Sequence, residues 1–210
     1  MTKTGPASYQ HLLLVVSGSL SAAFVPTWAT WLRTHRPEVT TRTIVTRSAM
    51  RFVTSSALAA ATGGRVDVDA WPDAEEGSDV GALHAELAEW ADAVIVCPAS
   101  WHYVARLSLG LGDSPSLLAL HTAGVPVLVA PSLPPGSLDS PILQEHLERL
   151  RARPGYVLAP MLVATSATSG RPGALVPPAL PDLVELLEEH LHSDEPTARP
   201  ASRTTGRVVP

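Results

Sequence analysis

HLLLVVSGSL, residues 11–20, decides the fold, because a short apolar run ends there in a glycine flanked by serines. Residues 12–16 are continuously apolar, which is typical of a strand buried on both faces of a sheet. From residue 17 to Arg33 the apolar side chains recur at helical spacing. The stretch therefore predicts a strand, a tight loop and a helix, the unit of a doubly wound sheet.

The same unit recurs along the chain. Further strands are predicted over residues 41–46, 93–97 and 126–130, and Val66 and Val68 alternate briefly. Helices are predicted over residues 49–60, 84–89, 101–109, 139–151 and 181–192. Ser48 is the expected N-cap of the first of these. We predict a Rossmann-like (flavodoxin-like) α/β fold, a doubly wound parallel sheet in three α/β/α layers.

Length and composition predict one domain. The chain has 210 residues, 45% of them hydrophobic and 17% charged, which suffices for one well-buried core and is short for two. We expect a single domain over residues 1–192 and a disordered tail over 193–210, which is polar, contains proline and has no periodicity. Residues 71–78 are acidic and predict a loop, and residues 159–178, rich in Pro, Gly, Ser and Thr, separate the last two helices.

Charge and cysteine content exclude several functional classes. The net charge of -5 and the lack of a basic stripe argue against binding to nucleic acid. No apolar run reaches the roughly 18 residues needed to span a bilayer, so we expect no membrane association. A single cysteine, Cys97, allows no internal disulfide and no Cys-rich metal site. We expect a cytoplasmic protein without a structural metal.

Hydroxyl side chains and a glycine follow the first two predicted strands. They are Ser17, Gly18, Ser19, Ser21, Thr46 and Ser48. Because the carboxyl ends of parallel strands meet at one edge of a sheet, two such loops can hold one phosphate. Neither the P-loop spacing nor the dinucleotide glycine pattern is present, so a mononucleotide is favoured. For the first loop alone, a serine-rich turn that caps a helix is an equal alternative.

Several motifs in a fixed order carry a resemblance to a known family. They are the glycine/serine loop, a Thr-x-Ser-Ala-x-x-Phe pattern (residues 46–52), His84 ahead of an Ala-Asp strand, Pro98-Ala-Ser, Gly110-Leu-Gly-Asp, and Val-Ala-Pro131. Together they make residues 11–160 similar to the flavin-containing cysteine decarboxylases. That family includes phosphopantothenoylcysteine decarboxylase, the lanthipeptide cysteine decarboxylases and the related flavin prenyltransferases. The resemblance implies FMN as the cofactor.

The resemblance also implies residue roles. His84 matches the catalytic histidine and would be the base near a substrate thiol; a helix-surface histidine is the alternative. Substrate contacts are implied for Pro131, Ser132 and Leu133. Cofactor contacts are implied for Ser17, Gly18, Ser19, Ser21, Thr46, Ser48, Phe52, Pro98, Ala99, Ser100, Trp101 and His102. For Trp101 and His102, simple packing is the alternative. Assembly as a homo-oligomer, a trimer or a dodecamer with flavin between subunits, is implied as well.

This chain departs from the family pattern at three places. Trp101-His102-Tyr103 stands where family members have Ala-Asn-Thr, whose asparagine contacts the flavin. After Pro131 the usual methionine and the asparagine that holds the substrate carboxylate are missing. Residues 163–166 lack the flap cysteine with which the pantothenate enzymes reduce an enethiol intermediate. The last departure favours a reaction that stops at the enethiol.

We therefore predict FMN-dependent oxidative decarboxylation of the C-terminal cysteine of a precursor peptide. The product would be an aminoenethiol in the biosynthesis of a ribosomal peptide natural product of the lanthipeptide type. The alternatives are phosphopantothenoylcysteine decarboxylase, a flavin prenyltransferase and a non-catalytic flavoprotein-like subunit. A prenyltransferase needs a basic cluster for an allylic phosphate, for which the candidates are Arg106, Arg149, Arg151 and Arg153.

Overall fold

A six-stranded, fully parallel sheet forms the centre of the molecule, which is described by a computed structural model over residues 7–71 and 82–193. Its strands are β1 (His11–Val16), β2 (Thr40–Val45), β3 (Val66–Val68), β4 (Ala93–Ser100), β5 (Val127–Ser132) and β6 (Tyr156–Leu158). The order β3-β2-β1-β4-β5-β6 is that of the Rossmann fold, and without the short edge strand β3 it is that of flavodoxin. The predicted fold is confirmed.

Helices cover both faces of the sheet. They are α1 (Val25–His35), α2 (Ser55–Thr62), α3 (Leu83–Trp90), α4 (Trp101–Ser108), α5 (Pro115–Thr122), α6 (Pro141–Arg151) and α7 (Leu180–Ser193). Along β1, Leu12 and Leu14 join the core cluster under α1, α2 and α7, while Leu13 and Val15 join the cluster under α3 to α6. Successive strand residues point to opposite faces, so a strand covered on both sides is apolar throughout.

Two strands continue through prolines that were predicted to end them. β4 includes Pro98 and β5 includes Pro131. The pairing of β4 with β5 shifts register between Val96 and Ala99, and such an irregularity is where an interior strand tolerates a residue without an N–H group. Both strands consequently carry their last residues to the carboxyl edge of the sheet.

The helix predicted over residues 49–60 is interrupted. A 3₁₀ turn, Ala49–Arg51, comes first, and α2 begins at Ser55. The side chain of Thr54 accepts a hydrogen bond from the N–H of Ala57 and is the N-cap of α2. The predicted capping role of Ser48 is therefore wrong, and its hydroxyl is hydrogen-bonded to Thr46 instead.

Four elements have no counterpart in the prediction: α5, β6 and a hairpin of β7 (Leu162–Thr165) and β8 (Pro172–Val176). The hairpin lies in the stretch that composition marked as a connection. Backbone bonds in both directions between Leu133 and Leu175 join it to the end of β5. Pairing with a distant strand end stabilises a segment whose Gly and Pro content alone favours a loop.

Two predictions concern residues outside the described part. Ser193 ends α7, and the rest of the predicted tail, residues 194–210, is outside it. So is all of the predicted loop 71–78 except Trp71. Within residues 7–71 and 82–193, no helix is both long enough and apolar enough to cross a membrane.

Candidate functional site

Backbone hydrogen bonds align four strand ends at the carboxyl edge of the sheet. The N–H of Asp69 donates to Val45 (2.9 Å), the N–H of Thr46 to Val16 (3.0 Å), and the N–H of Ser17 to Pro98 (3.1 Å). Consecutive strand ends from β3 to β4 are thereby linked across the sheet. The residues that follow them share one edge, which is where ligands bind in open parallel sheets.

The loops after β1 and β2 form a hydroxyl cradle, residues 17–21 together with Thr46 and Ser48. Gly18 lies against Ser48 so closely that a Cβ on Gly18 would be 2.4 Å from the Oγ of Ser48 and 2.5 Å from its Cβ. The Oγ atoms of Thr46 and Ser48 are 3.0 Å apart. The hydroxyl of Ser19 is buried and has no hydrogen-bond partner in the described structure. A buried hydroxyl without a partner is costly, so the predicted contact of Ser19 with a ligand would satisfy it.

Ser17 joins two strand ends. Its hydroxyl donates to the carbonyl of Pro98 (2.8 Å) and accepts from the N–H of Ser100 (2.7 Å). The Oγ of Ser100 in turn accepts from the N–H of Tyr103 and caps α4. Because the hydroxyl of Ser17 is engaged in both directions, its contribution to the cradle is to hold the loop in place, and direct contact with a cofactor stays a prediction.

The substrate residues predicted on β5 lie beside the cradle. The Oγ of Ser132 is 3.1 Å from the Oγ of Ser21, which connects the end of β5 to the loop after β1. Pro131 is buried within β5. The side chain of Leu133 is buried in the core, and its backbone pairs with the hairpin. Ser132 is thus the best placed of the three to reach a ligand.

The remaining predicted cofactor residues differ in exposure. Pro98 and Ala99 are buried, and Phe52 is exposed beside the cradle. Trp101 is partly buried and packs against the core cluster under α4. His102 is exposed on the first turn of α4. The packing alternative therefore describes Trp101 better than it describes His102.

His84 lies in the first turn of α3, near the end of β3. Its ring is 5.6 Å from the ring of Trp71, edge to face at 71°. The residue is half-buried, and its Nδ1 atom is buried without a hydrogen-bond partner in the described structure. A buried imidazole nitrogen of this kind is available to exchange a proton with a bound ligand.

A network that sequence reasoning missed holds this end of the sheet together. We call it the edge clamp, and its residues are Asp69, Trp71, Tyr103, Arg106, Asp113, Ser114 and Ser116. The carboxylate of Asp69 accepts from the Ser116 N–H (2.9 Å) and from the hydroxyls of Ser114 (2.9 Å) and Ser116 (2.8 Å). The hydroxyls of Tyr103 and Ser116 are 2.8 Å apart. Asp69 thus caps α5, whose own N-cap residue makes no side-chain capping bond.

Trp71 completes the clamp. Its indole N–H donates to the carbonyl of Asp113 (3.0 Å), whose carboxylate is held by Arg106 through its Nε (3.0 Å) and Nη2 (2.6 Å). The bond from Arg106 lowers the pKa of Asp113. The signal in the sequence is an aspartate directly after the Val66-Asp-Val68 strand, since a polar residue at that position reaches the carboxyl edge of the sheet.

Neither Cys97 nor the four arginines that are candidates for binding an allylic phosphate belong to the cradle. Burial raises the pKa of the Cys97 thiol well above its usual range, so the side chain is an uncharged core group. Arg106 is committed to Asp113, and Arg153 donates to the carbonyls of Leu107 and Ser108. Arg149 and Arg151 are exposed near the end of α6. Two of the four candidate arginines for an allylic phosphate therefore already have protein partners.

The cradle fits a phosphate monoester. Gly18 leaves its backbone open to close approach, and Ser19 and Ser48 supply hydroxyl donors beside it. The loops lie on neighbouring strands, as the sequence predicted. The segment after Ser19 is a 3₁₀ helix, Leu20–Phe24, rather than an α-helix, so hydroxyls and loop backbone rather than a helix terminus form the site.

Known proteins resemble the chain over most of its length. A cypemycin cysteine dehydrogenase (decarboxylating) from Streptomyces sp is 34% identical over 154 residues, which is 73% of this chain and 78% of that protein. A coenzyme A biosynthesis bifunctional protein CoaBC from Haemophilus influenzae is 32% identical over 72% of this chain but only 36% of its own length. The crystal structure of the FMN-dependent cysteine decarboxylase TvaF from thioviridamide biosynthesis superimposes with a TM-score of 0.63 and 32% identity, covering 71% of this chain and 89% of that one.

These similarities confirm the resemblance that the motifs predicted. A family model described as Flavoprotein matches residues 2–192. This chain belongs to the flavoprotein family.

Proposed function

We propose that this protein is an FMN-dependent decarboxylase that acts on the C-terminal cysteine of a precursor peptide. The observation that carries the proposal is the buried, unpartnered Nδ1 of His84 on the same sheet edge as the unpartnered hydroxyl of Ser19. One atom can serve a reacting thiol and the other a phosphate. The similarity to peptidyl-cysteine decarboxylases supports this assignment.

The residues of the cradle would hold the FMN phosphate. Ser19 and Ser48 would donate hydroxyl hydrogen bonds to it, and Gly18 would let it approach the backbone. The junction made by Ser17 would keep the loop after β1 in register with the end of β4. Bound FMN supplies the capacity to accept two electrons from the substrate.

His84 would accept the thiol proton of the substrate cysteine. A neutral imidazole is a suitable base near neutral pH, and the aromatic contact with Trp71 limits the orientations of the ring. The hydroxyl of Ser132 would donate to the substrate carboxylate in place of the missing asparagine. Its pairing with Ser21 connects the substrate side to the cradle. After oxidation at the Cα–Cβ–S unit, loss of carbon dioxide leaves an aminoenethiol.

The absence of cysteine from residues 163–166 supports release of the enethiol. These residues belong to the β7–β8 hairpin, where Leu162 and Val163 are exposed next to the end of β5. The chain has no thiol there to return two electrons to the product. We therefore favour a peptide product of the lanthipeptide type. Phosphopantothenoylcysteine decarboxylase is the second candidate, supported by the similarity to CoaBC.

We also propose assembly into a homo-oligomer, a trimer or a dodecamer. Exposed apolar side chains adjoin the cradle: Leu20, Phe24, Met50 and Phe52. A cavity of about 350 Å³ lies between the start of α1 and the loop that leads into α2. Contiguous apolar surface of this kind is typical of protein interfaces. Light scattering on the purified protein tests the proposal, and a monomer at micromolar concentration would contradict it.

The reaction itself is tested by mass spectrometry on synthetic peptides. A peptide that ends in free cysteine should lose carbon dioxide and two hydrogens, about 46 Da, whereas its C-terminal amide should be unchanged. A loss of about 44 Da, carbon dioxide alone, would show that the intermediate is reduced and would favour the pantothenate reaction. The panel varies the residues before the cysteine and includes phosphopantothenoylcysteine. No reaction from FMN-loaded protein with any of these would refute the proposal.

A further inference from the structure

The segment between β3 and α3 is attached to the loop between α4 and α5 at two points. Asp69, the first residue after β3, binds the start of α5 through three hydrogen bonds to Ser114 and Ser116. Two residues later, the indole N–H of Trp71 binds the carbonyl of Asp113. The two attachments hold Asp69 and Trp71 of the first segment against residues 113–116 of the second. They leave the indole of Trp71 little freedom to move relative to α5.

The partner of Trp71 is itself fixed. Arg106 on α4 holds the carboxylate of Asp113 by hydrogen bonds from two nitrogens, a geometry that restricts both side chains. Asp113 therefore presents its carbonyl from a constrained loop. The hydrogen bond to Asp113 ties the Trp71 ring to the loop between α4 and α5.

Among residues 7–71 and 82–193, few other groups are recorded that could orient His84. α3 begins at Leu83, and the residue at its N-cap position, Ala82, makes no side-chain capping bond. One turn after the start of α3, Glu86 forms ion pairs with Arg42 on β2 (2.8 Å) and with Arg65 just before β3 (3.1 Å). These ion pairs attach α3 to the two strands. Those ion pairs fix the helix but not the imidazole. The ring contact that the structure records for His84 is the edge-to-face contact with Trp71.

We propose that Trp71, held by the edge clamp, is the positioning residue that orients the imidazole of His84 toward the substrate. This inference rests on the proposed role of His84 as the base. The interactions that the described residues record for Trp71 are those with Asp113 and His84, so its proposed effect on catalysis goes through the histidine. A misplacement of about 1 Å in a catalytic group lowers turnover strongly without weakening substrate binding to the same extent.

Two variants of Trp71 in the FMN-loaded protein test the inference. Trp71→Leu removes the ring and the N–H donor, and Trp71→Phe keeps a ring. We expect kcat to fall by about tenfold in Trp71→Leu with KM within about twofold, and to recover in part in Trp71→Phe. The ring-proton resonance of His84, assigned by its loss in His84→Asn, should shift in Trp71→Leu and return toward its original position in Trp71→Phe, since a ring current acts on it.

Trp31→Leu is the matched control. Trp31 stacks on His35 at 4.8 Å on α1, away from the clamp, so its removal also takes an indole from a histidine. It should change neither kcat nor the His84 resonance. A folded Trp71→Leu with unchanged kcat and an unchanged His84 resonance would overturn the inference, as would an unchanged pair of readouts in Trp71→Met, which also lacks a ring, if the leucine variant does not fold. Failure of the proposed function shows itself differently, as full turnover in His84→Asn.

Discussion

The hydroxyl cradle and the edge clamp lie on the same edge of the sheet and differ at one buried polar atom, the hydroxyl of Ser19 in the cradle. In the clamp, the carboxylate of Asp69 accepts three hydrogen bonds, and the hydroxyls around it are paired. In the cradle, the hydroxyl of Ser19 is buried without a partner. A fully paired network rigidifies a protein, whereas an unpaired buried group costs about 1–3 kcal/mol unless a ligand binds it. The paired network of the clamp is typical of a scaffold, and the unpaired hydroxyl of the cradle is consistent with the binding site that we propose.

His84 resembles Ser19 of the cradle, because each has a buried polar atom without a hydrogen-bond partner among the described residues, although His84 contacts Trp71 of the clamp. Its Nδ1 is buried and unpartnered, although Trp71 next to it is hydrogen-bonded. Both regions are rich in serine, so composition does not distinguish them. The distinction lies in which hydroxyls find partners after folding. Three substitutions test it, ordered from the largest expected effect to the smallest, and a labelling experiment on Cys97 then tests the strand end beside the cradle.

His84→Asn should lower turnover by about a hundredfold or more while FMN stays bound, the usual result of removing a positioned acid or base. Peptide turnover and the flavin absorbance of the purified variant are the two measurements. His35→Asn, on the exposed end of α1, is the control and should behave as the unaltered protein does. A yellow, folded His84→Asn protein with full turnover would remove the histidine from the mechanism.

Gly18→Ala should weaken FMN binding by about tenfold. The new Cβ would lie 2.5 Å from the Cβ of Ser48 and would push this side chain away from the phosphate. Crowding of this kind costs about 1–3 kcal/mol, which corresponds to a loss of affinity of about 5- to 150-fold. Titration of the apoprotein with FMN measures it. In Gly112→Ala the nearest atom, 3.2 Å away, is the end of the flexible Leu118 side chain, so affinity should be retained. Equal affinities in the two variants would show that the cradle does not hold the phosphate.

Asp69→Ala should lower the free energy of unfolding of the protein and leave its affinity for FMN unchanged. Three bonds to a buried carboxylate are lost, which we expect to cost about 3 kcal/mol and to lower Tm by about 10 °C. Thermal unfolding of the FMN-loaded protein measures the change, with the exposed Asp139→Ala as its control. An unchanged Tm in Asp69→Ala would mean that the clamp is not scaffold.

Cys97 should resist alkylation in the folded protein. Its raised pKa keeps the thiol neutral as pH rises through the ordinary cysteine pKa of about 8.5, and only the thiolate reacts readily. Iodoacetamide should therefore add no mass at pH 8 or pH 9, but should add one label after unfolding in urea. Rapid labelling of the native protein at pH 8 would show that the strand end around Pro98 opens.

Local sequence identified the elements whose neighbours are close along the chain. The run at residues 12–16 predicts β1 because a strand between two helical layers must be apolar on both faces. Local sequence did not predict that β4 continues through Pro98, since the register shift that accommodates the proline depends on the pairing with β5. The hairpin of β7 and β8 was not predicted for the same reason, because the backbone hydrogen bonds that anchor it come from the distant residue Leu133.

The sequence alone determined that this chain forms a parallel α/β sheet, belongs to a flavin-binding family and carries hydroxyls and a glycine after its first two strands. The fold and the loop residues follow from apolar periodicity and from residue types next to strand ends, and the family follows from the resemblance of its motifs; all of these are local properties. Tertiary structure decided which hydroxyls are hydrogen-bonded, as Ser17 is, and which have no partner among the described residues, as Ser19 has none. It also brought Asp69, Trp71 and Asp113 together. Hydrogen-bond satisfaction depends on atoms far apart in the chain, and only the folded protein brings them within 3 Å of each other.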